Sequence, residues 1–292
     1  MPVRIDHVIV ADRDLAQLEA AFTRLGFNVV GGGQHPHLGT RNRIILLDQG
    51  YIELLAIADE QVVLPAVRER IEMAPGWIGF ALQSADIAKE AGEMRMRGAD
   101  VRGPKPGRLV APDGSVRSWQ TITVGGDDLF SAAEPIPFLI QHDSSGAQHQ
   151  HELAGADPIS PHPNGAQRLQ AVIVATASLS ATEDVFARDY GLRVTRPAIT
   201  VQVLAALARA LPLQAAGERI VLAEPLGAGI VNDRLLSAGE GVCCVSVAVA
   251  DLAVTHDFFQ QSGVPNIQWE DGLMIPGEVT GAPLAFVKDI AE

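Results

Sequence analysis

The chain is 292 residues long, about twice the ~150 expected of one domain, so two domains or one large one are anticipated. Apolar residues make up 47% and charged residues 20%, a balance that fills a sizeable core and is foreign to a disordered chain. Lys and Arg number 22 against 35 Asp and Glu, and the net charge of −13 argues against a nucleic-acid or anionic-membrane partner, whose phosphates would be repelled.

Arg4, Asp6, Asp12, Arg13 and Asp14 near the start leave no signal-peptide core. Residues 5–11 are β-branched and alternating, a strand pattern. Asp14 then stands where a helix N-cap belongs, with Gln17 three residues on, an approximate capping box. Leu15, Leu18, Phe22 and Leu25 mark one helix face, and Gly26 ends it. Strand-like runs follow at 27–30, 43–48 and 51–57, the last two joined by a tight turn at Gln49-Gly50.

The same order recurs down the chain, an internal repeat. A second copy lies 72 residues on (Asp14 to Asp86), with a strand over 77–84, Ile87 and Met94 on the helix face and Gly98 as the stop. Its later strands are 118–124 and 137–141, after a hairpin signal at Asp113-Gly114. A third copy caps at Ser178, continues through Leu179 and Phe186, and stops at Gly191, one residue late. A fourth caps at Asp251 and continues through Leu252 and Phe259 to Gly263; last strands at 219–224 and 282–288 complete these two copies. Each unit reads β-α-β-β-β. The segment 145–164 is polar and rich in Gly, Ser and Pro, a linker between a first domain, 1–144, and a second, 165–292. His149, His151 and His162 are read as solvated on that account. The apolar stretch 201–216 is broken by Arg209, Pro212 and Gln214, too short and polar to span a bilayer. Cys243 and Cys244 are neighbours, poorly placed to bridge each other, so a reducing, cytoplasmic setting is expected.

Paired βαβββ units, with IDHV in the first strand and a glutamate in YIELLAI, resemble the vicinal oxygen chelate superfamily of glyoxalase I, extradiol dioxygenases, methylmalonyl-CoA epimerase and small-molecule resistance proteins. The first unit is closer to the glyoxalase-like-domain branch: Asp6-His7, Gly32-Gly33, His35-Pro36, Gly39-Thr40, Asn42 and Tyr51-x-Glu53-Leu54 follow its pattern. In the second unit the PDG at 112–114, Trp119 and PFLIQ are reminiscent of the same branch, and the close likeness covers about residues 3–143. The resemblance implies an α+β fold of four βαβββ modules paired into two glyoxalase-like domains. It also implies metal ligands from the first and fourth strands of each module.

At the first-strand positions the other units carry Gly79, Ala171 and Cys244 in place of His7, and their approximate counterparts of Glu53 are Gln141, Val221 and Phe286. Only the first unit has both a histidine and a carboxylate, so a metal site belongs to the N-terminal pair. The candidate ligands are His7, Glu53 and one of Gln141 or His142, since strand alternation turns only one of that pair inward. Imidazole and carboxylate suit Fe, Mn, Ni or Zn. Glu53 and His35 are the candidate catalytic groups, because a carboxylate inside an apolar strand needs a cation, a donor or a proton. Thr40, Asn42 and Trp119 are candidate substrate contacts. Cys244, among valines, reads as a buried, inert thiol. No P-loop, nucleophile elbow or dinucleotide fingerprint is present, so no nucleotide cofactor is expected.

Two functions follow. One is a divalent-metal-dependent enzyme, of lyase, isomerase or dioxygenase type, acting on a small oxygenated molecule. The other is a metal-free protein of the same fold that binds or sequesters small molecules. A homodimer is the one macromolecular partnership left open.

Overall fold

A computed structural model describes residues 4–126 and 136–289. The outer domain limits expected at 1 and 292 lie outside them. The first half holds β1 (Arg4–Ala11), α1 (Leu15–Arg24), β2 (Val30–His35), β3 (Thr40–Leu46), β4 (Tyr51–Ile57) and α2 (Pro65–Met73). It continues with β5 (Gly76–Gln83), α3 (Ile87–Met96), β6 (Val101–Val110), β7 (Val116–Val124), β8 (Phe138–His142) and α4 (Gly146–Ala154). The second half holds β9 (Ala166–Ala175), α5 (Leu179–Val185), β10 (Ile199–Val201), β11 (Ala206–Pro212), β12 (Arg219–Pro225) and α6 (Ile230–Ala238). It ends with β13 (Gly241–Val249), α7 (Leu252–Gln261), β14 (Ile267–Trp269), β15 (Gly272–Ile275), α8 (Gly277–Thr280) and β16 (Leu284–Lys288).

Every unit is β-α-β-β-β, and the chain forms two glyoxalase-like domains. The repeat is enforced locally. Asp14, Asp86, Ser178 and Asp251 each accept hydrogen bonds from backbone N–H groups of the turn they open, worth about 1 kcal/mol apiece. Gly26, Gly98, Gly191 and Gly263 sit at φ of 80, 93, 69 and 62°, where a Cβ is disfavoured. Gly191 comes one residue late because the third helix ends in a π-helical turn, Phe186–Tyr190, which takes up one more residue.

In the first half β1 runs parallel to β4 and antiparallel to β5, and the eight strands close into a barrel in the order β1-β4-β3-β2-β6-β7-β8-β5. The second half is an eight-stranded sheet in the order β10-β11-β12-β9-β13-β16-β15-β14. Pairs Ile9–Gly79 and His7–Ala81 flank Val8–Phe80 symmetrically, which makes Gly79 the spatial counterpart of His7. Pairs Ala171–Ser246 and Ile173–Cys244 do the same for Ala171 and Cys244. The fourth strands correct two expected equivalences. Ile9 lies opposite Glu53 as Ala81 lies opposite Phe138, so the counterpart of Glu53 is Phe138, not Gln141. Ser246 lies opposite Ala285, which displaces Phe286, whereas Val221 keeps its place opposite Ile173.

The segment 145–164 is not a solvated linker. It contains α4, whose Leu153 and Ala154 pack with Val30, Ile44, Leu46 and Tyr51. Asp157 accepts from Gly31 N at 2.8 Å, and His162 accepts from Asn28 N at 3.0 Å while its other nitrogen bonds the Leu46 carbonyl at 2.8 Å. Its polar side chains satisfy backbone groups of the barrel, which composition by itself reads as solvation. Of the three histidines there, His151 is exposed, His149 half-buried and His162 buried. One apolar core runs through both halves, with Phe27 stacked on Phe286 at 5.9 Å.

Candidate active site

The barrel holds a cavity lined by residues of β1–β4 and β6–β8. Alternation along β4 turns Tyr51, Glu53 and Leu55 into it. Glu53 is 7% exposed, so its carboxylate stands in a largely dry environment. Asn42, across the β3–β4 pair, donates from Nδ2 to Glu53 Oε1 at 2.6 Å. His7 Nε2 faces Glu53 Oε2 and His35 Nε2 faces Glu53 Oε1, each at 3.8 Å.

Both imidazoles are fixed through their other nitrogen. His7 Nδ1 lies 2.7 Å from Asp6 Oδ1, and His35 Nδ1 lies 2.9 Å from Thr40 Oγ1. Asp6 follows His7 inward because β1 bulges against β5 between Ile5 and His7, interrupting the alternation. The His7 ring is stacked on Tyr51 at 4.6 Å and 15°, and Phe138 meets its edge at 5.6 Å. His35 is aimed by the turn to Thr40, where Gly39 at φ 66° accepts Ala58 N and Asp59 N. An added Cβ there would collide with the backbone of Val63.

The electrostatics follow from burial. Burial would raise the Asp6 carboxyl, but the charges and hydrogen bonds of His142 and His7 hold it far below the usual carboxylate range. Burial lowers the His35 pKa, opposed by the charge of Glu53. Burial, with Asp6 and Glu53 nearby, pushes the Tyr51 phenol well above its ordinary value. With its Nδ1 hydrogen-bonded to Asp6, His7 turns its Nε2 towards a carboxylate oxygen. That juxtaposition calls for a proton or a cation between them.

The structure gathers His7, His35, Thr40, Asn42, Glu53, Trp119 and His142 around this cavity. Gln141 is the correction: its Oε1 accepts from Ile87 N at 2.8 Å at the start of α3, on the opposite face of β8. His142 turns inward, but it bonds Asp6 Oδ1 at 3.1 Å, and its ring lies 4.0 Å from that of His149. Burial and His142 lower His149 to about 4, which leaves it neutral at physiological pH. Asp6, Tyr51, Arg117 and His149 are site residues that sequence reasoning left without a role. Asp6 was legible as a second polar residue in an apolar strand, and Arg117 as the residue two before Trp119. His149 carried no such signal. Among the described residues, no group of three or more His, Cys, Asp or Glu stands at metal-ligand spacing, and no helix is long and apolar enough to cross a membrane.

The architecture is shared with solved structures of low sequence identity, which speak to the fold alone. A hypothetical protein from Staphylococcus aureus superposes with a TM-score of 0.67 at 16% identity, covering 98% of this chain and 100% of that one. A mutant of 4-hydroxymandelate synthase from Streptomyces coelicolor superposes with a TM-score of 0.62 at 14% identity, covering 100% of this chain and 94% of that one. Among curated proteins no sequence match is found. The family described as "Glyoxalase-like domain" matches residues 5–190, from β1 through the barrel and α4 to the π-helical turn of the third unit. On that match, which covers well over half of the chain, this protein belongs to the glyoxalase-like domain family.

Proposed function

We propose that this protein is an enzyme that moves a proton on a small oxygenated molecule held in the barrel, with Glu53 as the base. The observation that carries the reading is the buried Glu53 carboxylate flanked by His7 Nε2 and His35 Nε2, each imidazole pinned behind by Asp6 or Thr40. Asn42 orients the carboxylate through a hydrogen bond without neutralising it. Glu53 takes a proton from the carbon beside a substrate oxygen. Its return to a neighbouring atom gives an isomerisation, and loss of a leaving group instead gives a lyase reaction. Phe138 and Leu55 supply apolar wall to the same cavity.

The donor set fits a divalent ion in kind. Donors about 2.1 Å from a tetrahedral ion stand roughly 3.4 Å apart, and the 3.8 Å separations here are a few tenths wider. His7, His35 and Glu53 would hold the ion, with Asp6 and Thr40 as the outer partners that orient such ligands. Bound there, it supplies Lewis-acid stabilisation of a substrate oxyanion. The metal-free binding protein is favoured by Gly79 and Phe138, which offer no donor at the two paired positions of the second unit. A cytoplasmic setting accords with two buried free thiols.

The test is deuterium uptake from solvent, followed by proton NMR over a panel of small hydroxy and oxo compounds. Wild type should exchange the proton beside the oxygen in at least one of them. Glu53→Gln should lose that exchange by on the order of 10²–10⁴ with its circular dichroism unchanged. Exchange at the wild-type rate in Glu53→Gln would end the base assignment.

A further inference from the structure

We infer that the molecule held in this cavity is a monocarboxylate, and that Arg117 is the residue that binds its carboxyl group. The inference rests on the barrel cavity being the active site. Arg117 lies on β7 two residues before Trp119 and four before Thr121, and all three side chains line the cavity. Its Nε and Nη2 are buried and hydrogen-bond to nothing among the described residues. Burial lowers its pKa, and Tyr51, Glu53 and Glu152 act on it only through the field. A guanidinium stays charged even so, and a half-buried cation with no acid in direct contact is destabilising.

Which two nitrogens are orphaned is informative. Nε and Nη2 form one edge of the guanidinium, whose two N–H bonds run parallel at the spacing of two carboxylate oxygens. This chain uses that edge elsewhere: Arg188 Nε and Nη2 reach the two oxygens of Asp189 at 2.6 and 2.8 Å. Three other partly buried arginines have acids of their own, while Arg219 and Arg234 bond an amide and a backbone carbonyl. Arg168 has Asp289, Arg209 has Glu183, and Arg43 has Glu19 and Asp157. The edge of Arg117 is buried beside the cavity with no such acid on it among the described residues.

Charge selects a monoanion. Arg117 is the single Lys or Arg among the described residues that line the cavity, so its edge answers one negative charge, and with the Glu53 carboxylate in the same space the second charge of a phosphate dianion would have no partner. The remaining wall, with Ile9, Leu109, Trp119 and Phe138, is apolar and suits a hydrocarbon or aromatic body. A carboxyl group on Arg117 directs that body towards Glu53 and its two histidines. The class is therefore small monocarboxylic acids with an apolar side chain and an oxygen next to the reacting carbon.

The experiment is isothermal titration of the full chain with benzoate, phenylacetate and 2-hydroxybutyrate, alongside benzamide, phenylacetamide and inorganic phosphate. At least one acid should bind, and its amide and phosphate should bind at least about tenfold more weakly. Arg117→Met should lose the acid by a similar factor while melting no lower than wild type, because it removes an unpaired buried charge. A residue needed only for packing would lower the melting temperature instead. Arg117→Lys, with a point charge and no paired edge, should fall between them. Glu53→Gln should still bind the acid, which separates this inference from the catalytic one. Lost proton exchange with retained acid binding in that variant supports both. Acid binding unchanged in Arg117→Met overturns the anchor whatever Glu53 does, and so does an amide that binds wild type as tightly as its acid. Absence of millimolar binding by every acid in the panel also overturns it.

Discussion

The inner faces of the two sheets are built on one register and are filled in opposite ways. In the barrel, the first unit places His7 and Glu53 against each other and leaves space beside them. In the second half the positions of His7 are taken by Ala171 and Cys244, and those of Glu53 by Val221 and Ala285. These join Ile173, Leu204 and Met274 in a dry cluster, closed by Val231 of α6. The helices after β4 and β12 occupy the same place in the order, yet they act differently. Val67 of α2 borders the cavity, whereas small residues on β9, β12 and β13 let α6 settle into the second face. A duplicated scaffold thus holds a site only where buried polar groups have partners. Where they are absent, apolar burial of about 25 cal/mol per Å² fills the space and supports the other half.

The largest effect should come from removing the polar partnership itself. Adding Zn(II), Mn(II) or Ni(II) should raise the melting temperature of wild type and bind at about one ion per chain by elemental analysis. Glu53→Gln should lose that rise together with turnover. An ion bound equally well by Glu53→Gln would place the metal elsewhere.

The next test concerns the joint between the halves. Glu218, 3% exposed, accepts from Ile5 N at 2.7 Å beside the Asp6 bulge, and burial pushes its pKa up from 4.5 to about 7. Because the folded value is raised, the folded state binds more protons across this window. The contribution is present below pH 4.5 and is lost as pH rises through 7, on the order of 3 kcal/mol in all. Chemical denaturation at pH 5 and pH 8 should show this slope in wild type and a flatter one in Glu218→Gln. An unchanged slope would assign the pH dependence to other groups.

Leu153→Ala tests whether α4 is part of the barrel wall. It should cost about 2–4 kcal/mol by denaturation and raise KM more than it lowers kcat, since Leu153 lines the cavity as an apolar wall residue packed with Val30, Ile44, Leu46 and Tyr51. A stability change under 0.5 kcal/mol would return this segment to the status of a linker.

The smallest effect should be at the second face. Cys244 is fully buried and its thiol lies well above the ordinary range, consistent with an inert packing residue. Cys244→Ser should destabilise by roughly 1–3 kcal/mol and leave turnover within about twofold. A large loss of turnover in folded protein would mean that the second half reaches the chemistry.

The sequence by itself determined the repeat, its four caps and stops, and the unit that carries His7 and Glu53. These are local properties: periodicity, a side chain capping its own turn, and a glycine at positive φ act within a dozen residues. The tertiary structure decided what depends on pairing between distant strands. The β5–β8 register made Phe138, and not Gln141, the counterpart of Glu53, and the alternation along β8 turned His142 inward. The bulge against β5 brought Asp6 beside His7, and α4 carried His149 from an apparent linker into the wall. Arg117 belongs to the same class. That its paired edge is without a partner among the described residues depends on what every other element leaves around it, and no stretch of sequence contains that information.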